Sequence, residues 1–233
     1  MTTTFVLITG AWHGGWAWRP VAQELRAVGC RVLAPTLPGL HDGEDPAGRS
    51  LADVTGFVAG LVEREDLHDV TLVGHSWGGY VAAGAAPAVA SRLRKVVFWS
   101  AFVPEAGRSL YDEVPPDYQE LFTQLAQASG NNSVAMPYEI WRSAFITDAA
   151  EDVRRLTHSL LVPQPFQYFT ETVPPLDPQV PASYVLGSED ISLPPGTWLR
   201  FAERLGVPPL MTPGSHEACF TRPVDLAAAF LKA

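Results

Sequence analysis

Cysteine is almost missing from this chain: Cys30 and Cys219 are the only two among 233 residues. Two thiols so far apart make neither a disulfide framework nor a zinc site, and they read as small core or near-core residues of a reducing compartment. Basic charge is also scarce. Lys and Arg number 16 against 25 Asp and Glu, a formal net charge of -9. That balance argues against nucleic acid and anionic membrane as partners and leaves a small molecule. No apolar run approaches the ~20 residues that a bilayer-spanning helix requires. The opening stretch MTTTFVLITG has no basic flank and too short an apolar run for a signal peptide, so the expected address is the cytoplasm. Oligomeric state is left open, a homodimer included.

What is present is a greasy, globular composition, 47% apolar and 18% charged, long enough for one large core. FVLI (5–8), RVLAP (31–35), VTLV (70–73), KVVFWS (95–100), ASYVLG (182–187) and PPLM (208–211) read as strands. The unbroken apolar runs among them suit strands covered on both faces. Helical spacing follows: Val21, Leu25 and Val28 share a face that Gly29 terminates, and Ser50 with Asp53 forms an acidic capping box ahead of Leu51, Val54, Phe57 and Val58. An Ala-rich helix opens at Trp77, and Pro87 is expected to kink or end it. Further helices are expected from about Pro195 and about Arg222. This alternation predicts an α/β fold, a parallel sheet with helices on both faces. Residues 104–178 break the rhythm with prolines and aromatics such as Tyr118, Phe122, Trp141 and Phe169. That segment reads as a cap of short helices over the C-terminal edge of the sheet, within one domain whose core is 1–103 and 179–233. No internal repeat or low-complexity tract is visible.

The chemistry is concentrated in TLVGHSWGGY (71–80). A strand, Gly-x-Ser-x-Gly and then a helix is the setting of a nucleophile elbow. Gly74 and Gly78 must lack a Cβ for so tight a turn, and Ser76 is forced into strained backbone that projects its Oγ into the cleft. A serine hydroxyl needs a base. His216, after the last strand, lies at the same sheet edge, whereas His75 should point away, and His13, His41, His68 and His158 fall in loops or the cap. Asp190, in GSED after the fifth strand, is the acid expected to orient His216. Glu189 is the fallback and Asp177 a weaker candidate. Backbone N–H groups of Ala11 and Trp77 are placed to hold an oxyanion. Trp12, Trp77, Phe102 and Trp141 are candidate pocket walls, while Trp16 and Trp18 read as packing residues.

GAWHGGWAW, GHSWGG, SAFVPEAG, GSED and GSHE together resemble the α/β-hydrolase superfamily, in the compact branch of plant methylesterases, hydroxynitrile lyases and small bacterial hydrolases. The resemblance spans nearly the whole chain, weakly in 104–178. It implies a mostly parallel six-stranded core with a helical cap and a triad of Ser76, Asp190 and His216, in the chain order of that family. It also implies an oxyanion hole at Ala11 and Trp77, and neither metal nor organic cofactor. Two departures stand out. The lyases of this branch carry threonine at the position of Gly10 and lysine at the position of Glu217, which favours hydrolysis here. The family often has His-Gly where this chain has Thr9-Gly10. Glu217 itself reads as an exposed charge.

The expected activity is a serine hydrolase cleaving a carboxylic ester or lactone of a small apolar or aromatic substrate through an acyl-enzyme. The alternatives are a non-hydrolytic or C–C bond tailoring enzyme on the same scaffold, a hydroxynitrile lyase-like enzyme and a non-catalytic small-ligand receptor.

Overall fold

The computed structural model describes residues 3–233. Six core strands, β1 (Thr4–Ile8), β2 (Arg31–Leu33), β3 (Val70–His75), β4 (Leu93–Trp99), β7 (Ala182–Gly187) and β8 (Pro209–Thr212), form one sheet in the order β2-β1-β3-β4-β7-β8. Every neighbouring pair is parallel, so the sheet is parallel throughout. Strand periodicity sorts its side chains into two cores. Val6, Ile8, Leu72, Phe98 and Tyr184 pack on one face with the helices α2 (Leu51–Arg64) and α3 (Gly78–Val89). Phe5, Leu7, Val73, Val97 and Val185 pack on the other with α1 (Arg19–Ala27) and the C-terminal helix Pro223–Lys232. The continuous apolar runs of β1 and β3 are what a strand buried on both sides requires.

The capping box forms as the spacing predicts. Ser50 Oγ accepts from the Asp53 N–H at 3.2 Å, and the Asp53 carboxylate accepts from the Ser50 N–H at 2.9 Å. Gly29 follows α1 with a φ of +88°, the left-handed stop that glycine adopts without strain. Pro87 neither breaks nor shortens α3 at its own position. The helix continues to Val89 and passes into a 3-10 turn, Ala90–Arg92, because a proline near a helix end removes only one bond from the last turns.

Between β4 and β7 lie α4 (Pro116–Ala128), α5 (Tyr138–Ile140), a π-helical turn (Trp141–Phe145), α6 (Glu151–Ser159) and α7 (Gln167–Thr170). This segment is not purely helical. The two-residue strands β5 (Ser133–Val134) and β6 (Gln164–Pro165) pair antiparallel within it, too short for periodicity to reveal. The remaining helices are α8 (Thr197–Leu205), α9 (Ala218–Thr221) and α10, the C-terminal helix above.

Sheet order reverses at β1: β2 lies on one side, β3 and the rest on the other. A crevice therefore opens beyond the C-terminal ends of β1 and β3, where their outgoing loops diverge. α3 leaves this crevice pressed against the sheet. A Cβ on Gly74 would stand 2.6 Å from the Gly78 carbonyl oxygen, one on Gly78 2.5 Å from that of Thr9, and one on Gly79 would collide with that of Phe102. These obstacles are backbone and cannot rotate aside. Gly79→Ala is therefore expected to lower the unfolding free energy by about 1–3 kcal/mol or more, read as a lower urea midpoint with an unchanged slope.

Candidate active site

Ser76 is the first residue after β3 and has a φ of +52°. For a non-glycine residue this left-handed backbone costs about 1–3 kcal/mol and persists only where the surroundings enforce it. Here they do. The Ser76 N–H donates to the Trp99 carbonyl at 3.2 Å, and the Ser76 carbonyl accepts from the N–H groups of Gly79 and Phe102, both at 3.1 Å. No side-chain hydrogen bond among the described residues uses the Ser76 hydroxyl, so nothing structural ties it down. The N–H groups of Ala11 and Trp77 likewise make no bond within the described chain.

His216 follows β8 and is buried. Its Nδ1 stands 2.7 Å from Asp190 Oδ2, and the Asp190 side chain is fully covered. With Nδ1–H donating to the carboxylate, Nε2 is the nitrogen left with a free lone pair. Asp190 gains two more donors from Ser192: its N–H at 3.0 Å and its hydroxyl at 2.6 Å. Ser192 was not singled out from the sequence, although Asp-x-Ser is a turn in which the aspartate accepts from the residue two ahead. Burial works against the Asp190 anion, but the His216 charge and hydrogen bond with the Ser192 donors outweigh it and hold the carboxyl below its ordinary value. Burial likewise works against a charged His216. The Asp190 charge and hydrogen bond, with a further contribution from Glu217, overcome it and raise the imidazole above its ordinary value of 6.5. Glu189 and Asp177 are both exposed, and the side-chain hydrogen bonds and ion pairs of His216 among the described residues go to Asp190 and Ser192 instead.

His75 turns from the cavity, yet it is not idle. Its Nε2–H donates to the His216 carbonyl at 3.0 Å, and the two rings lie 4.7 Å apart. Burial first, then nearby His216 and His13, hold His75 well below the ordinary histidine range, so it serves as a neutral imidazole. His13 is buried, and its Nδ1 lies 2.6 Å from the Ala11 carbonyl. Thr9, standing where the family often has histidine, donates its hydroxyl to the His13 carbonyl at 3.1 Å and so braces the same loop.

Glu217 departs from expectation. Rather than an exposed charge it is 1% exposed, with Oε2 3.5 Å from His13 Nε2 and 3.6 Å from the Cys219 thiol. The turn after His216 points inward, and His13 arrives from the first loop to meet it, a pairing across some 200 residues that local pattern cannot reveal. His75, His216 and Glu217 offer ligand atoms within 4.8 Å of one another; His75 Nε2 meets the His216 carbonyl, His216 Nδ1 meets Asp190, and the Glu217 carboxylate faces His13 Nε2 at 3.5 Å.

A cavity with about 390 Å³ of empty space, its mouth included, opens over Ser76. Ala11, Trp12, Trp77, Phe102 and His216 line it as anticipated. Trp141 does not. Its indole is fully buried and donates to the Arg154 carbonyl at 3.1 Å, while Phe145, at the far end of the same π-helical turn, takes the wall. Tyr118, Phe122, Phe169 and Trp198 complete the aromatic lining. Trp198 stacks on the His216 ring at 5.4 Å and Phe145 meets it edge-on at 5.2 Å. Among the described residues no Lys, Arg, Asp or Glu lines the cavity.

The model of the alpha/beta hydrolase family matches residues 5–229. An esterase of Nocardioides sp. (strain SG-4G), described as carbendazim hydrolyzing, is 46% identical over 113 residues, covering 48% of this chain and 47% of that protein. Methylesterase 1 of Arabidopsis thaliana is 36% identical over 115 residues, covering 45% and 41%. The matched stretch thus spans less than half the length of these curated relatives. A solved structure covers far more: an extracellular alpha/beta-hydrolase from a Paenibacillus species superposes with a TM-score of 0.93 at 30% identity, over 99% of this chain and 98% of its own. It is described as sharing structural and functional homology with tobacco salicylic acid binding protein 2.

Glu217→Ala would leave His13 and the Cys219 thiol facing a void. The expected loss is about 1–3 kcal/mol of stability, measured as a lower melting temperature.

Proposed function

This chain belongs to the alpha/beta hydrolase family, and within it we propose a serine hydrolase that cleaves carboxylic esters of small, uncharged, apolar or aromatic compounds. One observation carries the reading: Ser76, in strained backbone at the sheet's switch point, shares an apolar cavity with His216, whose Nδ1 is 2.7 Å from the buried Asp190 carboxylate. In this reading His216 Nε2 takes the Ser76 proton as Oγ attacks the substrate carbonyl carbon. The free N–H groups of Ala11 and Trp77 receive the oxyanion. His216 then protonates the departing alcohol, and the acyl group remains on Ser76. Water, deprotonated by the same nitrogen, releases the acid and restores the hydroxyl. Asp190 keeps Nδ1 protonated and steadies the imidazolium that forms in each half-reaction.

The lining supports the substrate class. With no charged wall apart from the His216 imidazolium formed in turnover, a substrate carboxylate would lose its water without compensation. Gly10 supports hydrolysis over cyanohydrin cleavage, because any side chain there would meet His75 Nδ1 at 2.8 Å. We take residues 1–103 and 179–233 as the core and 104–178 as a cap within one domain. Its two free cysteines support a cytoplasmic setting. No helix of the described residues is long and apolar enough to cross a membrane.

The wild type is expected to hydrolyse p-nitrophenyl butyrate and to be labelled by a fluorophosphonate, and to turn over a p-nitrophenyl hemisuccinate, which carries a carboxylate, far more slowly. Ser76→Ala should lose labelling and about 10⁴–10⁶-fold in kcat. Failure of the wild type to hydrolyse any such ester, or turnover that survives Ser76→Ala, would overturn the reading. The base must be neutral to accept a proton, and its pKa is raised. The acid limb of kcat/KM is therefore expected above 6.5, with activity falling as pH drops through it. A stopped-assay pH profile checks this.

A further inference from the structure

We propose that Gln164 is a positioning residue for the oxyanion-binding loop, so that the cap builds part of the reaction site rather than merely covering it; the inference rests on the esterase reading above. Trp12 follows Ala11 and has a φ of +68°, a conformation with no local appeal for tryptophan. All of its polar groups are held by the segment between β4 and β7. Its N–H donates to Gln164 Oε1 at 3.0 Å, its indole Nε1–H donates to the Val134 carbonyl at 2.7 Å, and its carbonyl accepts from the Val162 N–H at 2.9 Å. Val134 and Gln164 are directly paired across β5 and β6, so one strand register presents both acceptors together.

The clamp acts on the peptide that follows the proposed oxyanion donor. The Ala11 carbonyl and the Trp12 N–H share one peptide plane. His13 Nδ1 holds the carbonyl end at 2.6 Å and Gln164 holds the N–H end at 3.0 Å. With that plane pinned from both sides, the Ala11 N–H, the proposed oxyanion donor, is joined through Ala11 φ and ψ to a fixed peptide rather than to a mobile one, which narrows the range over which it can turn. The side chain of Gln164 is also an odd choice for filler. It is fully buried and its Nε2 has no partner, a penalty that an apolar residue of the same length would avoid. What the chain gains from glutamine there is the acceptor oxygen.

The test compares Gln164→Met, which keeps length and loses the acceptor, with Gln164→Glu, which keeps an acceptor. Readouts are kcat and KM on p-nitrophenyl butyrate, affinity for a trifluoromethyl ketone that forms a tetrahedral adduct on Ser76, and amide exchange of the segment containing Trp12. Gln164→Met is expected to lower kcat about 10–100-fold with KM within about threefold, and to weaken the ketone by a similar factor. Exchange should quicken at Trp12, and Gln164→Glu should recover most of kcat. Should Gln164→Met not fold, Val162→Pro removes a different bond of the same clamp and is expected to move kcat and exchange in the same direction. An unchanged kcat in a folded variant, or a rise in KM alone, overturns the proposal. A wild type that neither hydrolyses esters nor is labelled would instead defeat the esterase reading. Trp12 exchange would then still decide the clamp, which is refuted if Gln164→Met leaves it unaltered.

Discussion

Backbone crowding where β3 turns into α3 is the constraint on which the rest depends. Three glycines allow the helix to start against Thr9, Phe102 and its own first turn, with no room for a Cβ at any of them. That closeness bends the chain sharply enough to hold Ser76 at positive φ. It also brings the β1 and β4 loops to the same spot, since both supply the carbonyls that crowd α3. The strain at Ser76 and the glycines beside it are therefore one feature: remove the close approach and the backbone has no reason to remain in that conformation.

Around this corner the protein assembles an aromatic enclosure with few polar groups in its wall. His216 lies between the stacked Trp198 and the edge of Phe145, with Asp190 as its anionic partner. In such a medium a carboxylate–imidazole pair acts far more strongly than in water. Asp190 tolerates burial because it receives three hydrogen bonds. Glu217 is buried with fewer partners, facing His13 Nε2 at 3.5 Å and the Cys219 thiol at 3.6 Å.

Much of this was legible in the chain. Alternation of apolar strands and helices is a periodic signal, and it foretold six core strands and the sheet edge on which the loops gather. Gly74, Ser76 and Gly78 carried a steric message readable without coordinates. His216 and Asp190 followed from their positions after strands, and the structure brings them into contact. What escaped depends on long-range contacts. Glu217 looked like a surface charge because nothing nearby announces that His13 will meet it. Trp141 read as a wall and Phe145 was not considered, because only the π-helical turn sets which of the two faces the cavity. Strands of two residues, β5 and β6, lie below any periodicity, so the link from Gln164 to Trp12 was out of reach.

The bond from His75 to the His216 carbonyl joins the residue just before the proposed nucleophile to the backbone of the proposed base. Those two loops leave strands that are not neighbours in the sheet, with β4 and β7 between β3 and β8. A strut that bridges them ties the two proposed catalytic positions to each other across the sheet. Heat is then not expected to disarm the molecule first and melt it later; loss of turnover and loss of fold should share a single transition.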